Sequence, residues 1–336
     1  MDFSTGLFII AELSANHNND LDIVYKTIDA IAETGADAVK VQTYTADSLT
    51  LNVDNEYFGP KKDGLWKGKT LYELFEKGSL PYDWHADIKK YVEKKGMIFF
   101  SSPFDKAGVD LLESLDVQLY KIASPEITDI PLIKYVASKG KPMIISTGMA
   151  DICDIQLAID TCASVGNTNV TLLKCTSEYP APVDMANLRT IPNLKDTFGV
   201  NVGLSDHTMG STVPTVAVAL GATVIEKHVV LDRNGGGIDA AFSMEPQEFK
   251  EMVSAARDAQ MAMGSIKYHL KEENKLRRRS LFIFKNIKKG EVFSLKNVRT
   301  VRPGHGMHPK YLNEILGKKA NRDLAKGEPL KLAFLL

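Results

Sequence analysis

The sequence predicts a (β/α)8 TIM barrel followed by a small, mainly β domain, and three observations support this fold class. Eight short apolar runs recur roughly thirty residues apart, which is the length of a strand with its crossover helix. The segments between the runs are long enough for a helix, and several show apolar spacing at the helical period. Every run ends in a polar residue of a type used in catalysis or binding. The runs span residues 7–11, 38–39, 97–100, 119–120, 143–145, 170–173, 201–204 and 223–225.

Alternating strands and helices form a parallel sheet, and eight such units close into a barrel whose active site lies at the carboxyl ends of the strands. Residues 18–20, Asn-Asn-Asp, are favoured at a helix N-cap and precede the helical period of residues 23–32. The longest helical segment, Pro246–Met263, is followed by a C-cap signal at Gly264. We therefore expect the barrel to occupy residues 1–264.

The character of the sequence changes after this helix. Residues 265–279 are polar and charged, as expected of a linker, and short strand-like runs follow. Two similar Lys-Gly-Glu turns, at 289–291 and 326–328, bracket the last part of the chain. A module of about sixty residues is marginal for an independent core. We therefore expect a domain over residues 280–336 that docks on a barrel, either its own or that of a partner chain.

Bulk composition excludes several classes of protein. The formal net charge is −1, so no general affinity for nucleic acid or anionic membranes is implied. The N-terminus lacks the pattern of a signal peptide, and no apolar stretch is long enough to span a bilayer. The three cysteines share no metal-type spacing, which favours free, buried thiols in a reducing compartment. These features predict a cytoplasmic protein.

Two histidines follow the adjacent seventh and eighth strands and should meet at the rim of the barrel. They are His207 and His228, with Asp206 and Glu226 alongside. A single histidine at this position is more often a hydrogen-bonded loop residue, but an adjacent pair favours a divalent-metal site. Imidazole ligands with open positions filled by water suit manganese, iron, cobalt or zinc, and open positions are what a catalytic metal needs.

Two lysines, Lys40 and Lys121, end the second and fourth strands. A lysine at the end of a buried strand is costly unless it meets an anion, although it can also extend to the rim. Hydroxyl and amide groups follow neighbouring strands and would converge with the lysines on a small anion such as a phosphate with a carboxylate. A Schiff base on Lys121 is the competing chemistry. The converging polar residues are Gln42, Ser102, Ser124, Ser146 and Ser205.

A carboxylate, Glu12, ends the first strand, where it could bind a sugar hydroxyl or move protons. The loop after the eighth strand, residues 233–239, is glycine-rich and could serve as a phosphate nest or a mobile lid. Its last residue, Asp239, could hold a polyol.

Taken in order along the chain, these motifs resemble the sialic acid synthase family, and the C-terminal part is similar to that family's antifreeze-like (SAF) domain. The resemblance implies condensation of phosphoenolpyruvate with an open-chain N-acetylated aldose, giving a nine-carbon ulosonic acid and phosphate. It also implies a divalent metal, most often manganese, with magnesium or cobalt as other candidates. The motifs lie at residues 12–17, 40–42, 102–105, 121–126, 146–149, 179–180, 205–208 and 226–228.

Within the family, residues 64–75 most resemble the pseudaminic acid synthase branch. That branch implies 2,4-diacetamido-2,4,6-trideoxy-L-altrose as the sugar. Ser177 and Ser102 stand where the sialic-acid branch has asparagine and threonine, which argues against N-acetylmannosamine. An N-acetylneuraminate or legionaminate synthase that uses a mannose-type sugar is the alternative. Trp66 and Tyr72 are equally consistent with loop packing and with sugar contact.

The resemblance also implies roles for individual residues. Glu12 would be catalytic, and the two histidines would hold the metal. The tail domain would cap the barrel of the neighbouring subunit in a domain-swapped homodimer. Neither nucleic acid nor a membrane would be a partner. A Schiff-base aldolase or lyase, and an ice-binding protein suggested by the tail, are the other classes considered. Phosphoenolpyruvate would be held by Lys40, Gln42, Ser102, Lys121, Ser124, Ser146, Ser177 and Ser205, and the sugar by Tyr179, Glu126, Asp239 and, in trans, Arg302.

Overall fold

The chain divides into two compact units, of which the first ends at Gly264 and the second is Ser265–Leu336. The computed structural model describes residue 3 and residues 6–336. The first unit is a closed barrel of eight parallel strands in sequential order, with β1 paired to both β2 and β8. The predicted TIM barrel is therefore confirmed. Its strands are β1 Phe8–Glu12, β2 Ala38–Thr43, β3 Ile98–Pro103, β4 Tyr120–Ile122, β5 Met143–Ser146, β6 Val170–Cys175, β7 Asn201–Asp206 and β8 Val224–His228.

Most strands run further than the apolar runs predict, because polar residues continue the same hydrogen-bonded ladders. Side chains two apart on a strand share a face, and the interior of the barrel is built in layers on that rule. An apolar layer, called here the plug, includes Ile10, Ala38, Phe100, Leu119, Ile144, Leu173 and Val224. Two residues further along each strand lies a polar layer consisting of Glu12, Lys40, Ser102, Lys121, Ser146, Cys175, Ser205 and Glu226.

In the described part of the first unit, ten α-helices follow or connect the strands. In α1, the buried residues Val24, Ile28 and Ile31 face the barrel, and the Asp20 side chain caps the helix by accepting from the Asp22 N–H. The predicted last helix is present as α10, with Gly264 after it. The helices are α1 Leu21–Ala32, α2 Ala46–Leu49, α3 Leu71–Gly78, α4 His85–Lys94, α5 Lys106–Ser114, α6 Ile130–Ala137, α7 Ile152–Ser164, α8 Thr190–Phe198, α9 Thr212–Ala219 and α10 Pro246–Met263.

The second unit has its own apolar core around the antiparallel pair β9 Ser280–Ile283 and β10 Val298–Val301. Short helices α11 Glu272–Lys275 and α12 Leu312–Ile315 complete it. Gly290 and Gly327, in the two similar turns, both have left-handed φ values, 82° and 89°, which explains why a glycine stands in each turn.

Two further expectations can be compared with the structure. The three cysteines are free, but only Cys162 and Cys175 are buried; Cys153 is exposed near the start of α7, so the expectation of a buried thiol was wrong there. Among the described residues, no helix is both long and apolar enough to cross a membrane.

Candidate active site

A cavity of about 530 Å³ opens at the carboxyl ends of the strands, above the polar layer. This volume suits a small-molecule site. Glu12 and Ser102 do not line the cavity; they lie behind Lys40, almost fully buried. Ser177 lies beside the lining residue Cys175 instead of in the lining itself. The predicted residues that line it are Lys40, Gln42, Lys121, Ser124, Glu126, Ser146, Tyr179, Ser205, His207, His228 and Asp239.

The two predicted lysines converge on one carboxylate, Glu226. Its oxygens lie 3.3 Å from Lys40 Nζ and 3.5 Å from Lys121 Nζ, and Ser205 Oγ donates to it at 3.0 Å. Lys40 also contacts Glu12 at 3.1 Å. Sequence reasoning noted Glu226 only as a neighbour of the metal site. It lies on β8, which barrel closure pairs with β1, and its contacts with both lysines make it the central charge of the polar layer.

The two carboxylates of this layer differ in their proton affinity. Burial, and then repulsion from Glu226, raise the pKa of Glu12 to about 7. Burial opposes ionisation of Glu226 as well, but Lys121 and Lys40 together hold its pKa down at about 2. Glu226 is therefore the permanent anion near neutral pH, and Glu12 can gain or lose a proton there, as a general acid or base requires.

Lys40 and Lys121 also receive hydroxyl and carboxylate partners from neighbouring strands. Lys121 Nζ donates to Ser146 Oγ at 2.7 Å, and Lys40 Nζ lies 3.4 Å from Ser102 Oγ. Gln42 Nε2 donates to Glu12 Oε1 at 3.1 Å. Neither lysine extends to the rim, because their exposures are only 4% and 2%. Both ammonium groups are thus fixed at the floor of the cavity.

Three side chains converge on Gly148, just after β5. Its N–H donates to Ser124 Oγ at 3.0 Å. A Cβ built at Gly148 would lie 3.0 Å from both Ser124 Oγ and Cys175 Sγ and would clash with Ser177 Oγ. The missing side chain therefore lets two hydroxyls and a thiol pack directly against the Gly148 backbone. We call this group the β5 cradle: Ser124, Gly148, Cys175 and Ser177.

The two histidines meet at the rim as expected, with ring centroids 5.2 Å apart. His207 Nδ1 donates to the Thr176 carbonyl at 2.9 Å, which leaves Nε2 free to bind a ligand. His228 is buried, and its Nδ1 has no hydrogen-bond partner among the residues that the structure describes. Burial, and then His207, hold the pKa of His228 well below its usual value, so its ring is neutral. A neutral imidazole with an unsatisfied nitrogen fits a metal ligand.

The neighbouring carboxylates are engaged elsewhere. Asp206 pairs with Lys227 at 2.5 Å, on the side of the strands away from the cavity, and Glu226 pairs with the two lysines. Asp239 Oδ2 is 4.0 Å from His228 Nδ1. Within the described chain, no group of three or more His, Cys, Asp or Glu side chains is arranged to hold a metal ion. The histidine pair would therefore supply two ligands and leave the remaining positions open.

The outer part of the cavity holds the residues predicted to bind a sugar. The Tyr179 ring lies 4.5 Å from that of His207 and 4.8 Å from Phe242, which sequence reasoning missed. Asp239 accepts from Ser14 Oγ at 2.5 Å. Glu126 Oε2 is buried and has no hydrogen-bond partner in the described part of the chain, and burial raises the pKa of this carboxyl to about 7.

Three more residues complete the comparison with prediction. Trp66 lines the cavity, whereas Tyr72 does not, which separates two residues that the sequence left equivalent. Arg302 belongs to the second unit, directly after β10, where its side chain is exposed.

Comparison with known proteins gives matches over both units. The NeuB family matches residues 27–268, and the SAF domain matches residues 278–336. A pseudaminic acid synthase of Campylobacter jejuni is 47% identical over 97% of this chain and 95% of its own. An N,N'-diacetyllegionaminic acid synthase of the same species is 40% identical over 96% and 98%. The crystal structure of the Bacillus subtilis spore coat polysaccharide biosynthesis protein SpsE superposes with a TM-score of 0.67 at 34% identity, covering 98% of this chain and 95% of that one.

Proposed function

Because the chain belongs to the NeuB family and carries a SAF domain, as the resemblance in its sequence predicts, we propose that it synthesises pseudaminic acid. The reaction joins phosphoenolpyruvate, 2,4-diacetamido-2,4,6-trideoxy-L-altrose and water to give pseudaminic acid and phosphate, which makes the protein a transferase that forms a carbon–carbon bond. Beyond the 47% identity to a pseudaminic acid synthase, the observation that carries the proposal is the polar layer. It places two buried ammonium groups below a cavity that also holds a histidine pair.

Phosphoenolpyruvate would bind at the floor of this cavity. Its phosphate and carboxylate are anions that form charge-assisted hydrogen bonds with ammonium groups, and Lys40 and Lys121 both line the cavity. The β5 cradle offers two hydroxyl groups near Lys121. Gln42, Ser102, Ser146 and Ser205 would complete this binding site or orient its lysines.

The histidine pair would hold a divalent metal, and manganese, magnesium and cobalt are all compatible with two imidazoles and open positions. The metal, when bound, supplies Lewis-acid polarisation of the sugar aldehyde. His207 is oriented for this role by its bond to the Thr176 carbonyl. Asp239 and Tyr179 lie beside the two histidines, where the sugar would be positioned.

The reaction then follows from how the two substrates are placed. The methylene carbon of phosphoenolpyruvate attacks the aldehyde carbon, and positive charge develops at the former enol carbon. Water adds to that carbon and supplies one proton to the oxygen of the former aldehyde, which becomes a hydroxyl. The keto group then forms as the carbon–oxygen bond to phosphate breaks, and the second proton leaves with the phosphate. Glu12 lies behind Lys40, 3.1 Å from its ammonium group, so it would act on the cation or on the proton of the water through Lys40, and its pKa of about 7 suits that proton transfer. Positioning alone contributes up to ~7–11 kcal/mol to such a step, so no organic cofactor is needed.

Arg302 would complete the sugar site from a second subunit. We propose a domain-swapped homodimer in which the linker 265–279 carries the SAF domain to the partner's barrel. Mixing an Arg302→Ala subunit with a His207→Ala subunit should then restore one working site in each heterodimer. Recovery of activity supports action in trans. Its absence in confirmed hybrid dimers would place Arg302 in cis or outside the site.

The proposal is tested by incubating the purified protein with phosphoenolpyruvate and a panel of aldoses while phosphate release is measured. The panel contains the altrose-type diacetamido sugar, its mannose-type counterpart for legionaminate, and N-acetylmannosamine. Fastest turnover with the altrose-type sugar is expected, and preference for a mannose-type sugar would favour the legionaminate or neuraminate alternative. Trapping of substrate on Lys121 by borohydride, with activity retained in excess chelator, would instead indicate a Schiff-base enzyme.

A further inference from the structure

We infer that residues 44–78, between β2 and α4, form a fixed apolar wall that selects deoxy, N-acylated sugars over fully hydroxylated ones. This inference rests on the proposed function and names the residues that set its substrate class. The segment contributes more than a quarter of the residues that line the cavity. They are Tyr44, Leu49, Lys61, Trp66, Leu71, Leu74 and Phe75.

The chemistry of the cavity changes from floor to wall. The floor is formed by charged and hydroxyl groups of the polar layer and the β5 cradle, whereas residues 44–78 present mainly aromatic and aliphatic side chains to the cavity. Of the seven residues of this segment that line the cavity in the described structure, Lys61 alone is charged, and its Nζ lies 5.0 Å above the Trp66 ring. A sugar hydroxyl against Leu71, Leu74 or Phe75 would lose water without gaining a partner. The methyl of a 6-deoxy sugar or of an acetamido group meets no such penalty.

The wall is held in place by the loop that follows β1. His17 Nε2 donates to the Gly78 carbonyl at 3.1 Å while its Nδ1 accepts from the Asn19 N–H, so the two contacts agree on one tautomer. Asn19 Nδ2 also bonds to the Lys77 carbonyl at 3.3 Å. The Trp66 indole N–H donates to the Ile238 carbonyl at 3.3 Å. A wall fixed at Trp66 and at its C-terminal end can discriminate by shape, because it cannot easily retract from a poor substrate.

The direction of the bound sugar follows from the aromatic contacts. The Tyr179 ring lies 4.5 Å from His207 and 6.2 Å from Trp66, so it stands between the reaction centre and the wall. If the aldehyde end of the sugar is at the histidine pair, its far carbons extend past Tyr179 toward Trp66 and Leu71. The wall therefore contacts the end of the sugar at which 6-deoxy and 6-hydroxy substrates differ.

The test compares Leu71→Asn with Leu51→Asn, a matched control in the same segment. Leu51 is 57% exposed and does not line the cavity. For each variant, kcat/KM is measured with the 6-deoxy diacetamido sugar and with N-acetylmannosamine. The wild-type ratio should favour the deoxy sugar by about 100-fold, a typical limit for rejecting an added hydroxyl. Leu71→Asn should reduce that ratio at least tenfold while KM for phosphoenolpyruvate stays within twofold, and Leu51→Asn should leave the ratio unchanged.

Calorimetric binding of both sugars without phosphoenolpyruvate separates this inference from the proposed function. Trp66→Ala provides a second variant should Leu71→Asn fail to fold. Selective binding that either wall variant abolishes supports the wall, even if no sugar of the panel releases phosphate. Equal binding of the two sugars by the wild type, or a ratio that both wall variants leave unchanged, would overturn it.

Discussion

Replacing Glu226 with glutamine should destabilise the barrel more than the loss of any exposed carboxylate. Lys40 keeps Glu12 as a partner at 3.1 Å, but Lys121 loses its only carboxylate within 4 Å among the described residues. A pair of charges 3.5 Å apart attracts by roughly 5 kcal/mol at an effective dielectric constant of 20. Two effects reduce the loss of stability below this value. The neutral amide costs less to bury than the carboxylate, and because burial already lowers the pKa of Lys121, that lysine can lose its proton in the variant. We therefore expect a loss of about 3 kcal/mol, at the low end for a broken buried pair.

The loss is measured by urea and thermal unfolding at pH 7, where about 3 kcal/mol corresponds to a fall of ~6–12 °C in Tm for a domain of this size. Glu251→Gln is the matched control, because Glu251 is exposed and bonds only to Gln247 in the described chain. It should change the free energy of unfolding by less than about 0.5 kcal/mol. Saturating phosphoenolpyruvate should raise the Tm of Glu226→Gln more than that of the wild type, since its anionic groups replace the missing charge. If Glu226→Gln unfolds like the control, the polar layer does not depend on this carboxylate.

Three further outcomes follow from the same geometry. Gly148→Ala should raise KM for phosphoenolpyruvate at least tenfold, because the new methyl enters the β5 cradle. The control Gly235→Ala should leave this KM unchanged, since its Cβ would meet no described atom closer than 3.7 Å. Equal effects of the two substitutions would contradict the role of the cradle. The pKa of Glu126 is raised from 4.5 to about 7 in the folded protein, so its contribution to the free energy of unfolding is fully present below pH 4.5. That contribution is lost as the pH rises through 7, and the total loss is at most about 3 kcal/mol. Urea unfolding of wild type and Glu126→Gln should therefore diverge in favour of the variant between pH 5 and pH 8, and parallel curves would show that the carboxyl is not effectively buried. His228→Ala should weaken manganese binding, measured by calorimetry, by roughly two orders of magnitude, and unchanged affinity would remove the histidine pair as the metal site.

The sequence was sufficient to predict the barrel because the two-residue period of its strands determines both the packing of the interior and the position of the polar side chains. On β1, for example, Ile10 belongs to the plug and Glu12 to the polar layer, and the same two-residue step separates Leu119, just before β4, from Lys121 on that strand. Strand ends therefore identify candidate residues without any knowledge of distances. What a strand end does not reveal is whether its side chain lines the cavity or supports a neighbour, and Ser102 proved to lie behind Lys40.

Glu226 escaped prediction for a related physical reason. Its partners come from β2 and β4, far away along the chain, and Lys121 reaches it across the barrel interior instead of along a ladder. Such contacts depend on closure of the sheet, which places β8 beside β1. Within residues 44–78, the sequence pointed to Trp66 and Tyr72 as possible sugar contacts but did not predict that the segment forms a wall of the cavity. Its sequence has no strand signal, and its position depends on tertiary bonds such as that from His17 to Gly78.

The polar layer meets two requirements that conflict in a buried anion site. Unpaired lysines at the floor of a barrel would be strongly destabilising, because several kcal/mol are needed to bury each charge. Lysines fully neutralised by carboxylates would instead repel an incoming phosphate. Here Glu226 stays ionised while Glu12, with a pKa of about 7, is half protonated near neutrality. The two lysines therefore have enough carboxylate partners for the barrel to fold. When Glu12 takes up a proton, the polar layer gains positive charge. The same carboxyl thus stabilises the empty site and adjusts its charge to an anionic substrate.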